Sequence, residues 1–156
     1  MRLRIAAVGT RLPAWVYQAL EDYEKRIVSP VDFDIKEVAA EKRGKNADIE
    51  RIKNAEGERL LEAVPGGATI IALDERGRSI DTMAFSRWLQ ESIDNAQDLC
   101  FLIGGADGLS AAVKQRASRL LRLSDFTLAH PVARVVMAEQ VYRAYSIIRN
   151  LPYHRA

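Results

Sequence analysis

Two short stretches of the chain carry residue types that could handle a ligand. The first is Gly104-Gly105-Ala106-Asp107-Gly108, which follows the apolar run Leu99 to Ile103 and precedes Ser110. Glycines ahead of a helix let backbone amides approach a bound molecule closely. The stretch is neither the spaced GxGxxG of a dinucleotide fold nor a P-loop, because the third spaced glycine and the Lys-Ser/Thr pair are missing. A tight turn needing positive φ angles would use the same composition. The second stretch is Tyr153-His154-Arg155 near the carboxyl end. An aromatic ring, an imidazole and a guanidinium side by side could stack on a nucleobase and hold a phosphate; a frayed tail would also tolerate them. Spacing reveals no Ser-His-Asp arrangement and no carboxylate pair. His130 stands before Pro131 and reads as a turn residue rather than a base.

Composition narrows the classes. The 156 residues suit one domain. With 48% hydrophobic and 28% charged residues, the chain reads as an ordinary globular protein rather than a disordered one. No apolar run reaches membrane-spanning length, and the amino terminus lacks a secretory signal. The single cysteine, Cys100, lies in an apolar run and reads as a buried thiol in a reducing, cytoplasmic setting. Two histidines and one cysteine without ligand spacing give no metal site. The net charge of +2 hides an asymmetry. Residues 115–156 hold seven Arg, no Lys and two acids, so the last third is basic while the rest is slightly acidic. Guanidinium groups suit phosphates and planar bases, although any one of them could sit on a solvated helix face.

The elements that must position these residues alternate. Arg2 to Val8 reads as a strand, and Pro13 opens a helix along Trp15, Val16, Leu20, Tyr23 and Ile27. Val31, Phe33, Ile35 and Val38 suggest a second strand. A polar loop with Lys42, Arg43 and Lys45 leads to a helix from Ala47 to Val64. Thr69 to Leu73 and Leu99 to Ile103 are apolar strands covered on both faces, separated by a turn at 74–79 and a helix from Met83 to Asn95. Ser110 caps a helix expected to run to about Arg122. Leu123 to Leu128 reads as a short apolar segment, and Val132 to Arg149 as a helix apolar over most of its girth. The alternation predicts an α/β fold, a mostly parallel sheet with helices on both faces. The loops after Leu73, Ile103 and Leu128 would share the carboxyl edge, where such sheets bind ligands. A helix apolar all round needs cover on most sides, which predicts a homodimer interface there; the alternative is a central helix within one protomer.

Over nearly its full length the chain resembles the SPOUT-class ribosomal RNA large-subunit methyltransferase H family. The matching segments are Ala7-Val8-Gly9-Thr10, Lys42-Arg43-Gly44-Lys45-Asn46, Glu56-Gly57-Glu58, and Leu102 through Leu109 with its glycines. They continue with Leu123-Ser124 to Thr127-Leu128, His130-Pro131 with Arg134, Ala138-Glu139-Gln140, Tyr142-Arg143-Ala144, and Pro152-Tyr153-His154-Arg155. Leu151 stands where the family usually has His.

The resemblance implies a single domain over 1–156 with a deep trefoil knot at its carboxyl end, an exception to the rule against threading. It implies S-adenosylmethionine as methyl donor, lined by Leu73, Gly104, Leu123, Ser124, Asp125, Phe126, Thr127 and Leu128. It implies methylation of N3 of a pseudouridine in large-subunit ribosomal RNA on assembled ribosomes. Tyr153, His154 and Arg155 would shape the active site, completing the partner protomer's pocket, with Lys42, Arg43, Lys45 and Arg134 contacting RNA phosphates. Rival readings are a SPOUT enzyme acting on transfer RNA or a ribose 2′-OH, and a non-catalytic RNA-binding module.

Overall fold

The structure is a computed structural model that describes residues 1–154. Five strands form one sheet: β1 (Arg2–Val8), β2 (Asp32–Val38), β3 (Thr69–Ser79), β4 (Leu99–Ile103) and β5 (Arg119–Arg122), in the order β2-β1-β4-β3-β5. Every pairing is parallel. The expected α/β sheet with two covered faces is therefore present. Central β4, Leu-Cys-Phe-Leu-Ile, is buried at all five residues. Burying a side chain such as Phe101 contributes about 1.5–3 kcal/mol, which makes this strand the keel of the core.

Alternate residues of the strands feed two separate cores. Leu3, Ile5, Phe101 and Ile71 pack against helices α1 (Ala14–Arg26), α3 (Thr82–Asp94) and α5 (His130–Ile148). Ala6, Val8, Cys100 and Leu102 pack against α2 (Ile49–Glu62) and α4 (Ala111–Arg116). Burial pushes the Cys100 thiol up to about 12, so it stays protonated. Asp48, Asp81 and Ser110 cap α2, α3 and α4, accepting from the backbone N–H of Arg51, Ala84 and Val113. Each cap satisfies a donor that the first helical turn leaves orphaned.

Two sequence expectations fail at β5. The helix after Ser110 ends at Arg116 rather than near Arg122, and the third strand of the ligand edge is residues 119–122 rather than 123–128. Ala117 turns extended, and the N–H of Ser118 donates to the carbonyl of Ile70 at 2.8 Å. Pairing with β3 then overrides the helical preference of an Ala-rich run. β3 is also longer than expected. It passes through a register shift between Leu73 and Arg78 and rejoins β5 at Arg78 and Ser79. The shift needs a close backbone approach. A Cβ on Gly77 would stand 2.7 Å from the carbonyl carbon of Leu120, where real Cβ atoms essentially never sit.

Most of the apolar girth of α5 is covered within one chain. The sheet lies beneath it, and α1 and α3 flank it. Met137, Ala138, Val141, Tyr142, Ala144 and Tyr145 are buried, while Val132 is exposed and Val136, Glu139, Arg143 and Ile147 are half-buried along one outer stripe. The girth of this helix alone thus does not require a second subunit.

Candidate active site

The bend within β3 after Leu73, the carboxyl ends of β4 and β5 and the start of α5 surround a cavity of about 160 Å³. Leu73, Ile103, Leu121, Leu123, Phe126 and Leu128 give it apolar walls, and Gly104, Gly105 and Gly108 form one side from backbone. The Gly-rich loop is folded tightly: the N–H of Gly108 donates to the carbonyl of Gly105 at 3.0 Å. A Cβ on Gly104 would meet the carbonyl carbon of Gly108 at 2.7 Å, so this loop shape excludes any side chain there.

Seven of the eight residues expected around a donor line this cavity: Leu73, Gly104, Leu123, Ser124, Phe126, Thr127 and Leu128. Asp125 does not. Its side chain is 88% exposed and pairs with Arg122 at 3.2 Å. Phe126 is 83% exposed, an unusual position for a large apolar ring and one that leaves it available to cover a ligand.

Several cavity residues escape sequence reasoning. Arg122 lines the wall, and its Nε is buried without a hydrogen-bond partner among the described residues. A buried N–H donor left unpaired costs about 1–3 kcal/mol, so an acceptor on a ligand would relieve it. The signal was the strand end at Arg122, hidden by the misread helix. Asp74 and Glu75 add carboxylates to the rim. Asp74 pairs with Lys114 at 3.0 Å. Burial acts to raise its pKa, but hydrogen bonds from Arg76 and Lys114 outweigh that, and it lies below its ordinary value. His130 also lines the wall, and burial together with the charges of Arg134 and Arg43 lowers its pKa. A second, wider cavity of about 730 Å³ adjoins the first and shares Leu73, Gly105, Thr127, Leu128 and His130 with it.

The expected phosphate contacts divide. Lys42 and Lys45 are exposed. Arg43 instead ties its loop to the Gly-rich loop, with Nε and Nη2 at 2.8 and 2.7 Å from Oδ2 of Asp107. Arg134 departs from the expectation. It is 0% exposed, its Nη1 donates to Oε2 of Glu37 at 2.6 Å, and its Nη2 donates to the carbonyls of Val8 and Gly9. A guanidinium so enclosed is a bolt between α5 and the ends of β1 and β2, closed to a phosphate arriving from solvent. Sequence could not separate these cases, because an Arg reads the same whether it ends in solvent or against a carboxylate.

The tail lies beyond the far end of α5. That helix has nineteen residues, about 28 Å of rise, and the cavity is at its start. Tyr153 donates its hydroxyl to Oε1 of Glu139 at 3.0 Å and packs edge-on against Tyr142. Burial and the Glu139 carboxylate hold the phenol well above its ordinary pKa, so it remains a donor. The Ser146 hydroxyl lies 2.9 Å from the carbonyl of Arg143 and 3.0 Å from Nδ1 of His154, so it ties the imidazole to the last turns of α5. Neither tail residue lines the cavity of its own chain. Arg155, the third expected tail residue, lies outside the described residues.

Among the described residues no group of His, Cys, Asp and Glu could hold a metal ion, and no helix is long and apolar enough to cross a membrane.

Comparison with known proteins gives these loops a context. A family profile described as predicted SPOUT methyltransferase matches residues 1–154. A ribosomal RNA large subunit methyltransferase H of Thioalkalivibrio sulfidiphilus is 47% identical over 155 residues, covering 99% of each chain. The protein of that name in Bordetella pertussis is 46% identical over all of both chains. A crystal structure of a probable methyltransferase from Bordetella pertussis Tohama I superposes with a TM-score of 0.59 at 19% identity, covering 91% of this chain and 93% of the other, a likeness of fold. With a parallel five-stranded sheet, a glycine-walled cavity at its carboxyl edge and full-length relatives at this identity, the chain belongs to the SPOUT methyltransferase family.

Proposed function

We propose that this protein transfers a methyl group from S-adenosylmethionine to N3 of a pseudouridine in large-subunit ribosomal RNA, acting on assembled ribosomes as a homodimer. The observation that carries the reading is the cavity between the bend of β3 after Leu73 and the carboxyl ends of β4 and β5, lined by seven of the eight residues the resemblance assigned to the donor. The relatives named ribosomal RNA large subunit methyltransferase H supply the substrate class.

The residues fit such a donor. Leucines and Phe126 suit the faces of an adenine, and backbone groups around Gly104 can pair with its edge. The unpartnered Nε of Arg122 suits a carboxylate, and the rim carboxylates Asp74 and Glu75 suit cationic groups. When bound, S-adenosylmethionine supplies an electrophilic methyl carbon on a sulfonium. The protein then has to align the acceptor, keep water out and let the ring proton leave.

A second subunit is favoured by the tail. Tyr153 reaches back along α5 to Glu139, which still leaves nine residues, about 14 Å of helix, before His130. A partner's tail can approach the cavity where the chain's own does not. The exposed ring of Phe126 and the residues Val132, Val136 and Ile147 on the outer stripe of α5 are apolar surface that such a partner would cover. In this assembly Tyr153, His154 and Arg155 would frame the target nucleotide, and Lys42 and Lys45 would meet RNA phosphates. The trefoil knot at the carboxyl end belongs to the same reading and rests on the family resemblance. Selectivity for one site would then come from the folded ribosomal surface.

The test is methyl transfer from labelled donor to ribosomes, to naked ribosomal RNA and to transfer RNA, with the product nucleoside identified by mass spectrometry. The expected result is 3-methylpseudouridine, formed on ribosomes faster than on naked RNA. Label in transfer RNA or in a ribose would contradict the substrate, and RNA binding without transfer would contradict the enzyme.

A further inference from the structure

Methylating a ring N–H requires that its proton leave, and the residues around the cavity differ sharply in their ability to take it. We propose that the imidazole of His130 is the group that accepts this proton. The assignment rests on the methyltransferase reading above and adds to it the base for that same site.

Position comes first. His130 is the first residue of α5 and lies on the wall common to the 160 Å³ cavity and the wider cavity beside it. A base placed there reaches an acceptor entering from the wide side while the donor occupies the narrow side. Its Nε2 stands 4.0 Å from the point where a Cβ on Gly9 would sit, and Nη2 of Arg134 stands 3.5 Å from the same point. The ring is therefore held at the end of β1 beside a guanidinium that is itself fixed by Glu37 and two carbonyls.

The other titratable groups of the two cavities are engaged or badly placed. Asp74 is bound by Lys114, and Asp107 by Arg43. Glu75 is exposed at the rim, where water levels its basicity. Glu56 is 2% exposed behind Gly105, and its Oε2 accepts from the N–H of Glu41. Lys53, Arg76, Lys114 and Arg122 are cations. Among the described residues the ring nitrogens of His130 take part in no hydrogen bond. Around it stand the cations Arg134 on α5 and Arg43 on the loop before α2, with Glu56 on α2 as the opposing charge. Two cations against one carboxylate, with partial burial, keep the ring neutral near pH 7 and able to accept.

The N3–H bond of the acceptor breaks, and its electron pair forms the new N–CH3 bond as the methyl–sulfur bond of the sulfonium donor breaks. Sulfur keeps that pair as a thioether. The proton passes to an imidazole nitrogen of His130, and the imidazolium returns it to water through the open cavity. Crowding by Arg134 and Arg43 favours that return.

The test compares His130→Gln, His130→Asn and His154→Gln with the wild type in the full-length protein, with ribosomes as acceptor. Both His130 variants should transfer methyl at least about 100-fold more slowly, while calorimetric affinity for S-adenosylmethionine stays within about threefold. In the wild type the acid limb of kcat/KM should match the midpoint at which the His130 ring titrates by NMR in the donor-free protein. That limb should vanish in the His130 variants and persist in His154→Gln. A limb that survives in both His130 variants, or disappears with His154 instead, or differs from the NMR midpoint by more than about one pH unit, overturns the assignment. A wild-type protein that transfers no methyl group overturns the underlying reading first.

Discussion

Nη1 of Arg134 and Oε2 of Glu37 lie 2.6 Å apart although ninety-seven residues separate them, and the pair joins α5 to the end of β2. Removing the enclosed guanidinium costs about 2–3 kcal/mol, below the figure for a fully buried pair because Glu37 is 27% exposed and keeps its bond from the Tyr17 hydroxyl. Arg134→Ala should therefore lower the free energy of unfolding by about that amount in urea titration. Lys42→Ala and Lys45→Ala should change it by less than about 0.5 kcal/mol, since both residues are exposed, yet weaken ribosome binding. Equal stability losses in all three would undo this division of the basic residues.

Gly77 gives the second prediction. Its backbone lies where β3 meets Leu120, with no space for a methyl group. Gly77→Ala should destabilise by about 1–3 kcal/mol through overpacking. It should also weaken donor binding measured by calorimetry, because Leu73 and Asp74 lie at the same bend. Unchanged stability would show that the contact between Gly77 and Leu120 is looser than described.

These two residues show how far the sequence reached. Strands such as β4 were legible because a run of apolar residues bounded by turns has few other uses, and the two-sided cover of the sheet followed from it. Gly77 was not legible, because a glycine in a polar turn looks the same whether or not a second backbone passes over it. β5 was lost because Ala111, Ala112 and Val113 announce a helix, and only long-range pairing with Ile71 to Leu73 ends it. The donor loops emerged from the strand ends together with the family resemblance. Arg134 looked like its exposed neighbours, since burial of an Arg depends on a carboxylate thirty-odd residues into the chain.

Phe126 offers a separation of binding from folding. Its ring is 83% exposed, so Phe126→Ala removes little buried area and should shift stability by less than about 0.5 kcal/mol. If the ring closes over the donor, affinity should fall by about tenfold, near the 1.4 kcal/mol of one well-covered aromatic face. Calorimetry at constant folded fraction reads the difference. Loss of stability with intact donor affinity would place the ring in the core instead.

His130 predicts a pH dependence with a definite sign. Burial and neighbouring cations depress its pKa in the folded chain below the unfolded value of 6.5. Its contribution to stability is therefore fully present above that value and is lost as pH falls through it, because the unfolded chain takes up a proton that the folded one resists. Between about pH 7.5 and pH 5, wild type should lose more stability than His130→Gln. Parallel curves for the two proteins would mean that the ring is not held neutral by the fold.

The methyl donor is expected to sit between the bend of β3 after Leu73 and the loops that follow β4 and β5. The direct measurement is a crystal structure of the protein with S-adenosylmethionine or its demethylated product. The expected density lies against Leu73, Gly104 and the segment from Leu123 to Leu128, with a second chain's tail beside it. Density anywhere else on the molecule, or a complete site closed within one chain, would contradict the account.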